Sequence, residues 1–524
     1  MRVGLFNRGV QVAGGGERYS LALATLLARR AEVDVITSDP VDLRAIGDRL
    51  HLRLDDLRLR RIDPSDAAAS RASADYDLFV NATFMSLPVS RARRSALLVY
   101  FPNRIFSSQR ALAKARLAAR LAEHLSFPRF ERGFALPAAE GRGLARWSDG
   151  RGRLRMRVPR GRSTLEIELS ATADRTPVTI QCSGPGVDAT YELHATRTPT
   201  RHRIPLTSPA GGDVVIDVVD EGVGGGPPGI RVDGVRVSGI RNGVYRLIFE
   251  GLLPSRRYVF ETAHPQHTVW RGLASYDLIC TCSGFSQRWI RTYWGRAAEV
   301  LYPPVDVDHL QPGAKAPLIL SVGRFFRDGH SKRQDVMVQA ARALAPVLPP
   351  EWRIVLAGGV GGRAEHRRYF AEVTSAAAGL PVDVIGDVPG PVLTDLYRRA
   401  ALYWHAAGFS ETSAIDPERC EHFGISTVEA MAAGCVPIVY DAGGQAEIVR
   451  PGVDGVRWRR VSELVQHTRE LVRDERRRSE MARAAVGRAQ LFGTSAFEAR
   501  AAALFDPLLT GPAVGGSPGV DASL

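Results

Sequence analysis

Two glutamates, Glu421 and Glu429, stand eight positions apart in the segment EHFGISTVEA, residues 421–430. An ionised carboxylate only accepts hydrogen bonds, so such a pair can hold the hydroxyl groups of a sugar or a ribose. A simpler interpretation is also open. Ser426 or Thr427 fits a helix N-cap, and a glutamate three positions after Ser426 completes a capping box. The segment is therefore either a self-capped helix start or a site for a hydroxyl-rich ligand, and the two do not exclude each other.

The residues between the glutamates add a second kind of chemistry. A helix that begins here presents unpaired backbone N–H groups and the positive end of its dipole, which suit a diphosphate or a developing oxyanion. Phe423, Gly424, Ile425 and Ser426 are therefore candidate nucleotide-binding residues through their main-chain amides. Amides for a diphosphate, flanked by carboxylates for ribose and sugar, indicate a sugar-nucleotide site.

The composition limits the class of protein that carries this segment. At 524 residues, with 45% hydrophobic and 24% charged residues, the chain is typical of a globular protein of two or three domains. The net charge of +13 is spread along the whole length without aromatic interleaving, which argues against nucleic acid as a partner. Anionic small molecules and an anionic membrane surface are the better candidates.

Lysine is rare among the basic residues, since only Lys114, Lys315 and Lys332 interrupt a long series of arginines. A lysine at position 332 therefore indicates a need for a compact ammonium group in place of a planar fork. Chance is the alternative interpretation. Lys315 falls in the proline-rich stretch VLYPPVDVDHLQPGAKAP, where we expect replacement by arginine to have no effect.

The cysteines and the apolar segments predict the compartment. The five cysteines are scattered and lack the spacing of a disulfide framework or a zinc site. The N-terminal MRVGLFNRGV has no secretory pattern, and no segment reaches the ~20 apolar residues that span a bilayer. We expect a cytoplasmic protein, with peripheral contact at the inner face of the membrane as its only membrane association.

The order of strand-like and helical patterns predicts two α/β domains. RVGLF, the glycine turn AGGGE, the helix RYSLALATLLARR and the strand VDVIT form a βαβ signature. Short alternating runs such as RLRMRV and TLEIEL replace this pattern over 136–240 and predict an inserted antiparallel β-sandwich. The predicted N-terminal Rossmann-like domain covers 1–135 and 241–310, the C-terminal one 311–508, and a disordered tail 509–524. Two such domains face each other across a cleft at the carboxyl ends of their strands.

The sequence resembles glycosyltransferase family 4, whose members are retaining enzymes with the two-Rossmann GT-B fold. The resemblance rests on the Glu-x7-Glu pair with the following AMAAGCVPIVYDAGGQAEIV, and on SVGRF…HSKRQDVMVQA. It extends to GGGERYSLALA and to YDLICTCSGFSQRWI…VLYPPVD, so it covers both α/β domains but not the insert. It implies transfer of a hexose, mannose or glucose, from a GDP- or UDP-linked donor to a glycan or a lipid-linked acceptor in surface-polysaccharide assembly.

The resemblance also implies roles for single residues of this chain. Arg324 and Lys332 bind the donor diphosphate, Glu429 binds the ribose, and Glu421 contacts the donor sugar. Arg324, Lys332 and Glu421 form the predicted catalytic set, without a metal ion or a cofactor. The alternative for each of the two cations is an ordinary solvated charge.

On the N-terminal side the resemblance is less complete. It implies that Gly15 and Gly16 let the backbone approach the phosphates and the acceptor. Many relatives place a histidine where this chain has Tyr100, at the end of ALLVYFP. Tyrosine stacks and forms hydrogen bonds but carries no charge near neutral pH, which leaves the role of this position open.

The mechanism that the resemblance implies needs no protein nucleophile. Transfer takes place on the front face of the donor, and the leaving diphosphate helps to deprotonate the acceptor hydroxyl. The protein stabilises charge and aligns the two substrates as its domains close. Two other interpretations stay open: a glycoside phosphorylase or sucrose-synthase-like enzyme of the same fold, and a non-catalytic carbohydrate-binding protein.

Overall fold

The chain forms two compact units in the computed structural model. One consists of Met1–Arg104 and Gly272–Leu524, and the other of Ile105–Arg271. The first unit is built from parallel α/β structure and the second from antiparallel strands. The structure describes residues 1–103, 124–134, 138–140, 143–171, 176–220, 230–252, 272–327, 331–411 and 416–510.

The N-terminal part of the first unit alternates strands with helices. Its central strands are apolar on both faces, as strands of a parallel sheet covered by helices on both sides must be; the successive residues Leu5 and Phe6, which point to opposite faces, are both fully buried. The elements are β1 (Arg2–Phe6), α1 (Gly15–Ala28), β2 (Glu32–Thr37), α2 (Leu43–Leu50), β3 (Leu57–Arg61), α3 (Asp66–Ala72), β4 (Leu78–Asn81) and β5 (Arg94–Val99).

The second unit is a set of antiparallel strands followed by a short helix. Leu165, Ile167 and Leu169 are buried while the intervening glutamates are partly exposed, as the two-residue period of a half-buried strand requires. The elements are β6 (Arg129–Phe134), β7 (Ala138–Glu140), β8 (Gly143–Val158), β9 (Gly161–Ala171), β10 (Thr176–Gly184), β11 (Val187–Ala195), β12 (Thr200–Ser208), β13 (Gly212–Asp220), β14 (Ile230–Val237) and α4 (Ile240–Arg246).

After the second unit the parallel pattern resumes and continues to the last described residue. The elements are β15 (Leu278–Thr281), α5 (Gly284–Trp294), β16 (Glu299–Val300), β17 (Ala316–Val322), α6 (Gln334–Leu344), β18 (Arg353–Gly358), α7 (Ala364–Ala377), β19 (Val382–Gly386), α8 (Gly390–Arg399), β20 (Ala400–His405), α9 (Ile425–Ala432), β21 (Val436–Tyr440), α10 (Gln445–Ile448), β22 (Val456–Trp458), α11 (Val461–Arg473), α12 (Glu475–Ala489) and α13 (Thr494–Thr510).

Two parallel sheets confirm the prediction of two Rossmann-like domains. The N-terminal sheet has the order β16-β15-β5-β4-β1-β2-β3 and the C-terminal sheet the order β19-β18-β17-β20-β21-β22. Because β15 pairs with β5, the chain rejoins its first sheet after the second unit, so that unit is an insertion. The crossovers place the carboxyl ends of the strands at one edge of each sheet, where ligands bind in such folds.

The strands of the inserted unit form one connected antiparallel sheet. Its order is β11-β10-β13-β8-β14-β9-β12, and β6 and β7 also pair with β8. The long β8 pairs with β13 along one stretch and with β14 along another, and strands on both sides of it contribute to one apolar core. The antiparallel β-structure is thus as expected, whereas its description as a sandwich stays a prediction.

The insert also extends beyond the predicted range of 136–240. Strand β6 lies before residue 136 and pairs with β8, because its residues complete the edge of the antiparallel sheet.

At the other end of the chain, α13 packs against α1: Arg29 and Glu498 form an ion pair of 2.6 Å, and the rings of Tyr19 and Phe497 are 6.0 Å apart. Of the predicted disordered tail, 509–510 end α13, and 511–524 lie outside the described residues.

Candidate active site

The segment between the two glutamates forms the start of α9. The helix begins at Ile425, with Gly424 as its N-cap at φ 122°, and within the described chain no side chain caps it. The capping-box interpretation is therefore wrong. Ser426 lies inside the helix, where its Oγ accepts a hydrogen bond of 2.8 Å from Tyr403 Oη. No side-chain cap therefore occupies the first amides of α9 in the described residues, and their binding to a ligand stays a prediction.

Gly424 is held against α10 by the loop that follows β21. A Cβ on Gly424 would stand 2.4 Å from Nε2 of Gln445, a side chain with no exposed surface. The amide of Gly444 donates a hydrogen bond of 2.7 Å to the carbonyl of Glu421. The loop 441–445 thus fixes the path of the backbone that presents the α9 amides.

We expect the substitutions Gly424→Ala and Gly15→Ala to differ in cost. Alanine at position 424 must adopt a positive φ and push away a buried amide, a strain of about 1–3 kcal/mol. A Cβ at Gly15 meets only Cδ1 of Ile425, at 2.7 Å, and a side-chain tip can turn aside for less than about 1 kcal/mol. Urea unfolding of both variants measures the difference, and equal losses of stability would contradict this ranking.

Three charged or titratable side chains meet beside the start of α9. Nζ of Lys332, just before α6, is ion-paired with Oε2 of Glu421, and the same oxygen lies 2.9 Å from Nε2 of His405. The three side chains are largely enclosed, with 17%, 12% and 2% of their surfaces exposed. The structure therefore brings together Lys332 and Glu421, two members of the predicted catalytic set, and places His405 beside them.

Glu429, the predicted ribose ligand, lies within α9, about one helical turn after its first residue, Ile425. Its Oε2 accepts a hydrogen bond of 2.8 Å from Tyr397 Oη. Burial raises the pKa of this carboxyl, while Tyr397 and the cation of Arg18 oppose the increase. A carboxylate that already meets one hydroxyl in an enclosed position can accept hydrogen bonds from the hydroxyls of a ribose.

Arg324 stands apart from this cluster. It follows β17, is exposed, and places its guanidinium carbon 5.2 Å from the ring centroid of Phe326. Within the described residues it takes part in no ion pair. Its position at the carboxyl end of β17 is the one expected for a cation that meets a ligand at this edge.

The N-terminal domain contributes the glycine turn and Tyr100. A Cβ added to Gly15 would stand 2.7 Å from Cδ1 of Ile425 in α9, and Oη of Tyr100 donates a hydrogen bond of 2.8 Å to the carbonyl of Gly16. Burial raises the pKa of Tyr100, so its hydroxyl remains protonated. The tyrosine thus holds the glycine turn at the start of α1, a structural role that the sequence left open.

Three residues around the two glutamates were not predicted from the sequence: His405, Tyr397 and Arg18. Arg18 lies in α1, with Nη2 3.8 Å from Asp306 and with a buried Nε that has no hydrogen-bond partner among the described residues. A local signal existed only for Arg18, which directly follows the glycine turn. The run of residues around His405 and Tyr397 gives no comparable indication.

The sequence of the C-terminal part of the chain is similar to that of known proteins. Residues 307–488 match the family model for glycosyl transferases group 1. The lipopolysaccharide core biosynthesis mannosyltransferase LpcC of Rhizobium leguminosarum bv. viciae is 34% identical over 140 residues, which are 26% of this chain and 35% of that protein. D-inositol 3-phosphate glycosyltransferase 1 of Catenulispora acidiphila is 32% identical over 183 residues, 31% of this chain and 40% of that protein.

A solved structure extends the similarity to the whole fold. Anabaena Alr3699/HepE, crystallised with UDP and glucose, superposes with a TM-score of 0.52 at 14% identity, over 97% of this chain and 99% of that one. This similarity confirms the GT-B type of fold. The sequence matches span about a third to two fifths of the length of the two curated relatives.

Proposed function

We propose, from the match of residues 307–488 to the family model for glycosyl transferases group 1, that this protein transfers a hexose from a nucleoside diphosphate sugar to a glycan or glycolipid acceptor. The observation that carries the proposal is the start of α9, whose uncapped amides lie between two enclosed carboxylates with Lys332 beside them. The diphosphate, the ribose and the sugar then each have a chemically matched partner.

The roles of the residues follow from their surroundings. Lys332, Arg324 and the α9 amides neutralise the diphosphate, whose charge grows as the glycosidic bond breaks. Glu429 accepts hydrogen bonds from the ribose hydroxyls, and Glu421 contacts the hexose. Gly15 and Gly16 let the N-terminal domain bring an acceptor close to the anomeric carbon, which converts binding energy into alignment.

Retention of the anomeric configuration is part of the proposal. The acceptor hydroxyl attacks from the face that the diphosphate leaves, and it passes its proton to the departing phosphate oxygen. The carboxylates in the described cluster are occupied by Lys332, His405 and Tyr397, which suits ligand positioning better than attack on the anomeric carbon.

The names of the relatives support mannose or glucose as the transferred sugar. LpcC is a mannosyltransferase of lipopolysaccharide core biosynthesis, and HepE was crystallised with UDP and glucose. A GDP- or UDP-linked hexose and a saccharide acceptor destined for the cell surface are therefore the proposed substrates.

Thermal stabilisation by GDP, UDP and ADP tests the donor site first, since a ligand at about 100 times its Kd adds about 2.7 kcal/mol to the free energy of unfolding. The matching sugar nucleotides are then incubated with saccharide acceptors and the products are analysed for linkage and anomer. Release of a sugar phosphate from a glycoside and inorganic phosphate would favour a phosphorylase. Nucleotide binding without hydrolysis or transfer would favour a carbohydrate-binding protein.

We propose a cytoplasmic location with peripheral contact to an anionic membrane. All five cysteines are free and buried, which suits a reducing compartment. No helix in the described residues combines the length and the apolarity of a membrane span. In the inserted unit, α4 and the following turn of π-helix, Leu247–Leu252, bury Tyr245 and Phe249 on one face and expose Ile240, Leu247 and Leu252 on the other.

We expect Leu247→Glu to weaken binding to vesicles of phosphatidylcholine mixed with phosphatidylglycerol by about tenfold, because an exposed leucine contributes apolar area at the lipid interface. Leu491→Glu, at a similarly exposed leucine outside the inserted unit, serves as the control and should bind like the unaltered protein. Co-sedimentation measures both variants. Equal vesicle binding by the two variants would contradict the role of this face. Binding of the unaltered protein to vesicles of pure phosphatidylcholine, but not to vesicles that contain phosphatidylglycerol, would contradict it too.

A further inference from the structure

His405 has an environment that packing alone does not require. It is the last residue of β20, which lies between β17 and β21 in the C-terminal sheet, and only 2% of the residue is exposed. Nε2 of its ring is 2.9 Å from Oε2 of Glu421. Nδ1 is buried without a hydrogen-bond partner among the described residues.

The protonation of the ring follows from these contacts. Burial lowers the pKa of His405, and the nearby ammonium of Lys332 lowers it further, while Glu421 opposes both. A neutral imidazole carries one N–H, and the carboxylate oxygen is its only acceptor in the described surroundings. The proton therefore lies on Nε2, and the ring donates to Glu421.

One oxygen of Glu421 thus accepts from two donors that differ in mobility. Lys332 has a flexible stem, and the proposed function assigns its ammonium to the donor diphosphate. His405 belongs to a central strand and pairs with Val439 of β21, so it cannot follow the ligand. When Lys332 turns towards phosphate, His405 is the donor that stays.

We propose that His405 is a positioning residue, which holds the carboxylate of Glu421 in place for the donor sugar when Lys332 engages the diphosphate. This role rests on the proposed function and adds to it a residue that touches neither substrate. It accounts for a buried histidine at the carboxyl end of a sheet strand. It also accounts for a carboxylate oxygen that is shared between a cation on a rotatable stem and an N–H fixed on that strand.

Two substitutions separate positioning from packing. His405→Gln keeps an N–H at the distance of Nε2, whereas His405→Leu fills space without a donor. We expect His405→Leu to lower kcat about 10- to 100-fold, with the Kd of the nucleoside diphosphate unchanged, and His405→Gln to recover most of the loss. On a Glu421→Ala background, His405→Leu should cause no further loss of kcat, since both changes remove the same interaction.

Equal activity of His405→Leu and the unaltered protein would overturn the proposal. A similar loss of kcat in His405→Leu and His405→Gln, together with a loss of nucleotide affinity in both variants, would overturn it too. A second readout is independent of transfer. The ring ¹⁵N shifts of His405, assigned by comparison with His405→Gln, should show the neutral Nε2–H tautomer with and without bound nucleoside diphosphate. Detection of an imidazolium or of the Nδ1–H tautomer would refute the positioning role, even if no donor were turned over. Inactivity of the unaltered protein with every donor would instead count against the proposed function.

Discussion

Lys332→Arg is expected to lower transfer about a hundredfold although it keeps the formal charge. The reason is that the site should fit the compact ammonium group of lysine but not the planar guanidinium group of arginine. Nζ of Lys332 is ion-paired with Glu421, whose oxygen also meets His405. The stem of Lys332 runs along Gly323, where a Cβ would stand 2.6 Å from its Cγ. A guanidinium at the end of this enclosed stem would collide with the cluster or demand a second acceptor.

The matched control for this prediction cannot be Lys315, contrary to the expectation from the sequence. Nζ of Lys315 donates to the carbonyls of Arg398, at 3.0 Å, and Ala433, and burial lowers its pKa. Lys315→Arg would therefore disturb the end of α9. Arg368→Lys, at a side chain that is 83% exposed, is the better control. Transfer by Lys332→Arg within about threefold of the unaltered protein would show that charge alone suffices.

The sequence predicted the local structure around Glu421 and Glu429 only in part. The pair Glu421 and Glu429 indicated a ligand site, and the carboxylates do flank a helix start. The capping box failed because Gly424, at φ 122°, takes the cap position. The hydrogen bond of Glu429 comes from Tyr397, 32 positions away, and a local motif contains no information on such a partner.

His405 could not be recognised for a related reason. The run LYWHAA is nearly continuous in apolar residues, and a buried strand of a parallel sheet requires that pattern. A single polar residue in such a run looks like a tolerated core residue. Only the register of β20 against β17 and β21 places its imidazole beside Glu421. Likewise, β6 was missed because its pairing with β8 depends on the sheet it completes.

Glu429→Gln is expected to stabilise the ligand-free protein and to weaken nucleotide binding about tenfold, since it removes the charge from a hydrogen-bond acceptor without removing its shape. Burial raises the pKa of Glu429 above its ordinary value, even though Tyr397 and Arg18 favour the charged form. The ionised carboxylate therefore costs stability in the folded state. Glutamine avoids that cost and still accepts the hydrogen bond from Tyr397 Oη.

The pH dependence follows from the sign of this shift. A carboxyl with a raised folded pKa is most favourable when protonated, so its cost appears as the pH rises through that pKa and disappears below the unfolded value. Glu429→Gln should accordingly raise Tm by about 2 °C at pH 8 and leave it unchanged at pH 4. Glu480→Gln, at an exposed position of α12, is the control and should change Tm at neither pH.

Nucleotide affinity supplies the second half of the test. In the unaltered protein, affinity should fall as the pH decreases through the pKa of Glu429, because a protonated carboxyl loses its charge-assisted hydrogen bonds to the ribose. In Glu429→Gln the affinity should be lower at pH 8 and independent of this titration. Calorimetric titration of both proteins across the same pH range measures the effect. A variant that loses stability at pH 8 but binds nucleotide normally would show that Glu429 is a structural carboxylate of α9 and that the ribose lies elsewhere.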